Sequence, residues 1–176
     1  GVRSSHTSEL TFEDCEIPAE NLIGREGAGF LMAMQTVEWD RSVLLGFVVG
    51  GMTFVLNKCI EYARDRKQFG KPIGEYPAIK EKLANMKIFI EAARSLCYRI
   101  AWCKDQGKPL NHLEGAIGKL FVGDWCLGPA NDAVILHGGY GYCHEYDVER
   151  YLRDSRLFPI GGGTSEIQKR IISKFI

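Results

Sequence analysis

Apolar residues at helical spacing dominate two long stretches of this 176-residue sequence. In the second stretch, from 77 to 105, they recur alternately four and three positions apart. A period of about 3.5 residues suits a helix that packs lengthwise against other helices. Pro77 fits the first turn of such a helix, where its missing N–H costs nothing, and Gly107 fits the C-terminal stop. The stripe consists of Ile79, Leu83, Met86, Ile90, Ala93, Cys97 and Ile100.

The earlier stretch predicts another long helix, from about 28 to 64. It contains the longest uncharged run of the chain, Ser42–Asn57, which includes a Gly-x-x-x-Gly spacing found in pairs of membrane helices. The run of 16 residues is shorter than the roughly 20 that span a bilayer, and Arg41 and Lys58 close it on both sides. We therefore expect a buried helix and no membrane span. Its stripe is formed by Phe30, Met34, Val37, Leu44, Val48, Met52, Val55 and Cys59.

The rest of the chain predicts further helices and one strand. Asn111 and Glu114 are typical of the N-cap and third residue of a helix, whose apolar side would be Leu113, Ile117, Leu120 and Leu127. Pro129 should kink or split that helix before it ends at Gly138-Gly139.

A short charged helix is expected over about 145–156, and a last helix after Thr164 or Ser165. Ile167, Ile171 and Phe175 would share one face of that last helix. Residues 8–13 alternate in character, which suggests a strand. The predicted architecture is all-α: an up-and-down bundle of about four main helices with a strand remnant at its N-terminus.

Composition excludes several classes of function. The 22 basic and 22 acidic residues cancel, which argues against nucleic acid as the main partner. None of the six cysteines forms a Cys-x-x-Cys pair, so we expect neither a zinc site nor a disulfide framework, and a reduced, cytoplasmic-type protein. The 20 glycines are more than the usual share of about 7% would give.

Four stretches in order resemble the acyl-CoA dehydrogenase family. They are Leu10–Asp14 with Pro18–Gly24, Arg66–Pro72, His137–Tyr142, and Arg153-Asp154 with Gly163–Gln168. The resemblance implies that residues 1–24 are the end of a middle β-domain with its linker, and that 25–176 form a C-terminal helical bundle. It further implies FAD as cofactor, an acyl-CoA substrate, electron-transfer flavoprotein as acceptor, and a homotetramer or dimer. The location would be cytoplasmic, or the mitochondrial matrix if the source is eukaryotic.

The resemblance also implies the residues that contact FAD. Arg66 matches an arginine that binds the FAD diphosphate across a subunit interface, where a guanidinium fork suits phosphate oxygens. The glycine turn at Gly138-Gly139 would pack on the adenosine half of FAD. At the start of the last helix, Thr164–Glu166 would present free backbone N–H groups to FAD. The full set is Arg66, Phe69, Ile135, Leu136, His137, Gly138, Gly139, Thr164, Ser165 and Glu166.

Each of these positions also has a purely structural interpretation. Arg66 could be a solvated arginine in a basic loop, the glycines a helix C-cap, and Thr164 or Ser165 a simple N-cap. The family often has glutamine where Ile135 and Pro77 stand, so two side-chain hydrogen bonds to the nucleotide are missing here.

The catalytic base stands at an unusual position. Enzymes of this family use a carboxylate to remove a proton from the α-carbon of the thioester. In most members that carboxylate belongs to a glutamate at the position where this chain has Gly162. A subgroup, the isovaleryl-type and long-chain-type enzymes, places it on the long helix before an arginine, which matches Asp40-Arg41. We therefore predict Asp40 as the base, with Arg41, Gly162 and Gly163 lining the substrate site.

Aspartate is about 1 Å shorter in reach than glutamate, and a misplacement of that size can cost about a hundredfold in rate. Asp40 could instead pair with Arg41 or Arg64, and Glu38 is the second candidate. The function predicted is therefore the C-terminal domain of an FAD-dependent acyl-CoA dehydrogenase, inactive in isolation. The alternatives are a catalytically silent helical assembly or binding module, and a related flavin or nitroalkane-type oxidase.

Overall fold

The computed structural model describes residues 1–43, 45–106 and 112–176. The predicted stripe residue Leu44, the stop Gly107 and the cap Asn111 lie outside these ranges. The helices are α1 (Gly29–Val43), α2 (Leu45–Asp65), α3 (Pro77–Asp105), α4 (His112–Trp125), α5 (Leu127–His137), α6 (Val148–Ser155) and α7 (Ser165–Ile172). Two short strands, β1 (Lys67–Gln68) and β2 (Lys71–Pro72), follow α2.

The core forms where α2 packs against α3. On α2 the predicted stripe is buried from Val48 through Met52, Val55 and Cys59, each exposed by 2% or less. On α3 the predicted stripe meets it, with Met86, Ile90 and Ala93 similarly buried. Helices α4, α5 and α6 complete the bundle around this pair, as the all-α prediction required.

The prediction for α1 is right in helix type and wrong in burial. Phe30 and Leu31, in its first turn, are 73% and 67% exposed, and Met34 is 41% exposed. The apolar residues keep their helical spacing through α1, but the bundle does not cover the N-terminal half of this helix. Helical periodicity shows which residues share a face, and it cannot show whether another element covers that face.

The predicted third helix is divided in two. The break falls at Cys126, between α4 and α5, and backbone hydrogen bonds from Cys126 to Val122 and from Ala130 to Cys126 run through it. Pro129 stands in the first turn of α5, where no intrahelical N–H bond is lost. The expected end of the helix is confirmed, because Gly138 caps α5 with a φ of +60°.

The strand predicted over 8–13 is wrong. These residues are exposed and have no regular structure. An extended segment forms a strand only when a neighbouring strand accepts and donates its backbone hydrogen bonds. Across the described ranges the one ladder is the antiparallel pair β1–β2, in which Lys67 faces Pro72 and Gln68 faces Lys71.

Helix α7 begins after Thr164 as expected, and α6 begins at Val148, about three residues later than predicted. Gln168 is fully buried and Ser165 is 8% exposed, while Ile167 and Phe175 are 42% and 48% exposed. The predicted apolar face of the last helix is therefore not the face that it buries. Side-chain hydrogen bonds decide the orientation of this helix instead, since both Gln168 and Ser165 find partners in the domain.

The segment Gly29–Asp65 is long and apolar enough to cross a membrane by length and composition alone. A buried helix of a folded domain passes the same criterion, and 44% of its most apolar window is buried inside the structure. On α2 that burial comes from contact with α3 and α5.

Two isoleucines on α3 offer a matched test of this core. Ile90 is 1% exposed and Ile88 is 67% exposed on the same helix. We expect Ile90→Ala to lower the free energy of unfolding by about 2–5 kcal/mol, because it leaves a cavity in the α2–α3 contact. Ile88→Ala should change it by less than about 0.5 kcal/mol. Urea unfolding of both variants measures the difference, and equal losses would contradict the burial pattern.

Candidate functional site

One cavity brings together the predicted base and the glycine that replaces the usual glutamate. Asp40 and Arg41 near the end of α1, and Gly161 and Gly162 before α7, line the same space of about 150 Å³. We call it the Asp40 pocket. Its other walls are Leu45, Phe47, Val48, Lys119, Val122, Gly123, Leu157 and Phe158. The walls are largely apolar, while the Asp40 side chain is exposed at the rim.

A hydrogen bond connects the two sides of the Asp40 pocket. Arg41 donates from Nε to the carbonyl oxygen of Gly162 over 2.9 Å. Gln168 donates from Nε2 to the carbonyls of Gly162 and Gly163, at 3.3 and 3.1 Å. The glycine turn is therefore held by α1 from one side and by α7 from the other.

Position 162 leaves space that a side chain could fill. Gly162 has a φ of +68°, and among the described residues no atom lies within 4 Å of the point where a Cβ would stand. Gly162 lines the same pocket as Asp40 and Arg41. A side chain at 162 would therefore have space, although the positive φ would strain its backbone.

Lys119 is an unexpected cation in the wall of this pocket. It is 6% exposed, and among the described residues its Nζ has no hydrogen-bond partner. Burial lowers the pKa of Lys119, and the nearby Arg41 lowers it further, while the carboxylates of Asp124 and Glu166 oppose that change. Sequence analysis missed this residue because a single lysine among apolar residues in α4 carries no distinctive spacing.

The start of α7 is occupied by its own side chains. The Thr164 hydroxyl accepts from the Ile167 N–H at 3.5 Å, and the Ser165 hydroxyl donates to Asp124. Hydrogen bonds from its own backbone N–H and from Thr164 lower the pKa of Glu166. The N-cap interpretation thus describes the geometry of this turn, and an anion there would compete with these groups.

Five of the predicted cofactor residues meet in a second cavity, of about 520 Å³, at the other end of α2. We call it the Arg66 pocket. Arg66 follows the last residue of α2, and its guanidinium lies over the Tyr140 ring, 5.4 Å from the centroid. The lining is Tyr62, Arg66, Gln68, Ile73, Leu136, His137, Gly138, Gly139, Tyr140 and Cys143. The other five predicted residues lie outside it: Thr164–Glu166 at the start of α7, Phe69, which is 94% exposed, and Ile135, which is 54% exposed.

An aromatic cluster forms the floor of the Arg66 pocket. Tyr62 stacks on His137 at 4.2 Å between centroids, and its hydroxyl donates to the His137 carbonyl. Tyr146 packs edge-on against Tyr62 at 5.9 Å and touches Tyr140 at 5.2 Å. Burial lowers the pKa of His137, whose Nδ1 lies 2.8 Å from the Ala133 carbonyl. The spacing of Tyr62 four residues before Arg66 was the one sequence signal for this cluster.

The two pockets lie far apart on one copy of the chain. Val48 lines the first and Tyr62 the second, and fourteen residues of helix α2 separate them. At about 1.5 Å per residue, the separation along the axis is about 20 Å. The structure therefore places Asp40, Arg41 and Gly162 in one pocket and Arg66 with 136–139 in the other.

Gly138 tests the backbone of the Arg66 pocket. Its φ of +60° and ψ of −137° belong to a region that residues with a Cβ avoid. Gly138→Ala should therefore destabilise the protein by about 1–3 kcal/mol. Gly139→Ala is the matched control, because that site is equally open but has no positive φ. Thermal unfolding compares the two, and a harmless Gly138→Ala would contradict the strained turn.

Lys119 predicts a pH-dependent gain in stability on substitution. Lys119→Met removes a buried unpartnered cation and should stabilise the protein by about 1–3 kcal/mol near pH 7. Burial depresses the pKa of Lys119 from 10.5 in the folded state. The unfolded chain therefore binds the proton more tightly, and the wild type recovers stability as the pH rises toward that value.

The advantage of Lys119→Met should thus shrink as the pH rises from neutrality toward 10.5. Urea unfolding across an alkaline pH series measures it. Lys80→Met, at an exposed position on α3, should give no such trend. A Lys119→Met variant less stable than wild type at pH 7 would show that the ammonium has a partner in the folded protein.

Comparison with known proteins supports one family for the whole chain. The acyl-CoA dehydrogenase C-terminal domain profile matches residues 27–176. A probable acyl-CoA dehydrogenase of Bacillus subtilis, YngJ, is 42% identical over 99% of this chain and 46% of its own length. The structure of butyryl-CoA dehydrogenase from Megasphaera elsdenii is 40% identical with a TM-score of 0.87, covering 93% of this chain and 43% of its own.

An FAD complex of the protein PigA is 33% identical with a TM-score of 0.85, again covering 93% of this chain and 43% of its own. The chain spans less than half the length of each of these relatives. The likeness nevertheless runs through every helix of the bundle and both pockets. The chain belongs to the acyl-CoA dehydrogenase family and contains its C-terminal domain.

Proposed function

We propose that this chain is the C-terminal domain of an FAD-dependent enzyme that dehydrogenates acyl-CoA thioesters between the α- and β-carbons. One observation carries the proposal: Asp40 and Gly162 line the same apolar cavity and are joined through Arg41. A carboxylate that removes an α-proton needs an adjacent space for the thioester and few competing partners. The Asp40 pocket meets both needs.

Asp40 is the proposed base. Among the described residues it forms no ion pair, because Arg41 is directed to the Gly162 carbonyl instead. The competing candidate Glu38 is engaged by His112 of α4. Asp40 lines the same pocket as Gly162, the position at which most relatives would place the glutamate itself. Asp40 is exposed in this domain. A bound substrate would therefore have to cover its carboxylate and exclude water from it.

FAD is the proposed cofactor, and the Arg66 pocket fits part of it. When bound, the flavin accepts the hydride that leaves the β-carbon. Arg66 has no carboxylate partner in the described part of the chain, so its N–H donors are available to a diphosphate. Among the described residues, nothing lies within 4 Å of a hypothetical Cβ at Gly138 or Gly139, which lets a nucleotide approach the backbone closely.

The distance between the pockets supports a second copy in each cofactor site. One copy would supply the turn at 164–166 beside the Asp40 pocket, and a neighbouring copy the Arg66 pocket. Large exposed aromatic residues such as Tyr98, Trp102 and Trp125, which are 55–67% exposed, support burial between subunits in a homotetramer or dimer. An acyl-CoA substrate and electron-transfer flavoprotein as acceptor complete the proposal, with a cytoplasmic or mitochondrial-matrix location.

The test is substitution of Asp40 in the longest natural chain that contains this sequence. Asp40→Asn should lower the rate of flavin bleaching by acyl-CoA at least about a hundredfold, the usual contribution of a general base, with FAD still bound. Asp40→Glu keeps the carboxylate and should retain much more activity. Glu38→Gln, two residues earlier on α1, is the matched control and should stay within a few fold of wild type.

The same experiment separates the alternative functions. Unchanged bleaching in Asp40→Asn would remove Asp40 as the base while leaving the family function intact. A purified wild-type protein with no flavin absorbance would favour the silent helical assembly. Rapid oxygen consumption without need of electron-transfer flavoprotein would favour the oxidase.

A further inference from the structure

The guanidinium of Arg66 contacts an aromatic ring rather than a carboxylate. Its guanidinium lies over the Tyr140 ring at 5.4 Å, within the range of about 6 Å for a cation–π contact. Among the described residues it is not within ion-pair distance of any carboxylate. A long arginine side chain without a fixed partner loses rotamer freedom when it binds a ligand, and that loss weakens binding.

Tyr140 is itself held in place. Its ring touches that of Tyr146 at 5.2 Å, and Tyr146 packs against both Tyr62 and His137 at 5.9 Å. Tyr62 lies on α2 and His137 on α5, so the cluster is anchored on two helices of the core. Tyr140 remains 46% exposed and lines the Arg66 pocket.

We infer that Tyr140 is a positioning residue for Arg66: its ring pre-orients the guanidinium in the Arg66 pocket for a diphosphate group. This inference rests on the proposed function, in which that diphosphate belongs to FAD. Tyr140 acts through Arg66 and not by its own contact with phosphate, because a phenol ring offers the cation a π-face. The hydroxyl group is therefore dispensable and the ring is required.

The experiment measures FAD affinity of the apoprotein, prepared from the full natural chain, by flavin fluorescence titration. Tyr140→Leu should raise the Kd for FAD about threefold to fivefold, the size expected from an exposed cation–π contact. Tyr140→Phe keeps the ring and should restore wild-type affinity. Tyr142→Leu removes an aromatic ring from the same turn, where the side chain is 87% exposed, and should have a smaller effect.

A double-variant cycle shows whether Tyr140 acts through Arg66. Arg66→Gln should weaken FAD binding by itself, and adding Tyr140→Leu to it should cause no further loss. Equal additional loss in the Arg66→Gln background would overturn the positioning role. So would equal losses from Tyr140→Leu and Tyr142→Leu, or a Tyr140→Phe variant as weak as Tyr140→Leu.

Failure of the proposed function gives a different pattern. If Arg66→Gln leaves FAD affinity unchanged, then Arg66 does not contact the cofactor, and the placement of FAD falls together with this inference. If Arg66→Gln weakens binding and Tyr140→Leu does not, only the positioning role is wrong. Thermal unfolding of each apoprotein variant identifies a general loss of folding. Because Tyr140 is half-exposed, we expect its variants to unfold at a temperature close to that of the wild type.

Discussion

The burial of α2 against α3 is the contact on which the rest of this domain depends. Val48, Met52, Val55 and Cys59 turn one face of α2 into the core. Because α2 is one continuous helix of 21 residues, fixing its middle also fixes both of its ends. Each end carries one pocket, so the core contact sets the distance and orientation between the candidate base and the candidate diphosphate site.

An arginine near each end of α2 contacts a group other than a carboxylate. Arg41, just before α2, donates a hydrogen bond to the Gly162 carbonyl, and Arg66, just after α2, lies over the Tyr140 ring. Neither is neutralised by a carboxylate within the described residues, so each keeps its charge available. This arrangement explains how a chain with no net charge can still present local sites for anionic groups.

The sequence predicted what depends on local period and on backbone conformation. The stripes of α2 and α3, the end of α5 at Gly138 and the start of α7 after Thr164 all follow from helix spacing and capping rules. The strand over 8–13 and the buried face of α7 could not be predicted this way. A strand requires a partner elsewhere in the fold, and Gln168 is buried because it reaches the carbonyls of the glycine turn, a contact between segments that no local pattern records.

The residues of the candidate site likewise fall into those that the sequence indicated and those that only the structure revealed. Asp40, Arg41 and Gly162 were brought together by a family resemblance and now share one cavity, whereas Lys119 and the tyrosine cluster emerged only from packing. The charges of Arg41, Asp124 and Glu166 all act on Lys119, in a wall otherwise made largely of apolar side chains. Electrostatics in such a wall are strong because water is excluded from it. Gly162 lines the same cavity as Asp40, Arg41 and Lys119, so a carboxylate at position 162 would add a second negative charge to a pocket that already holds one.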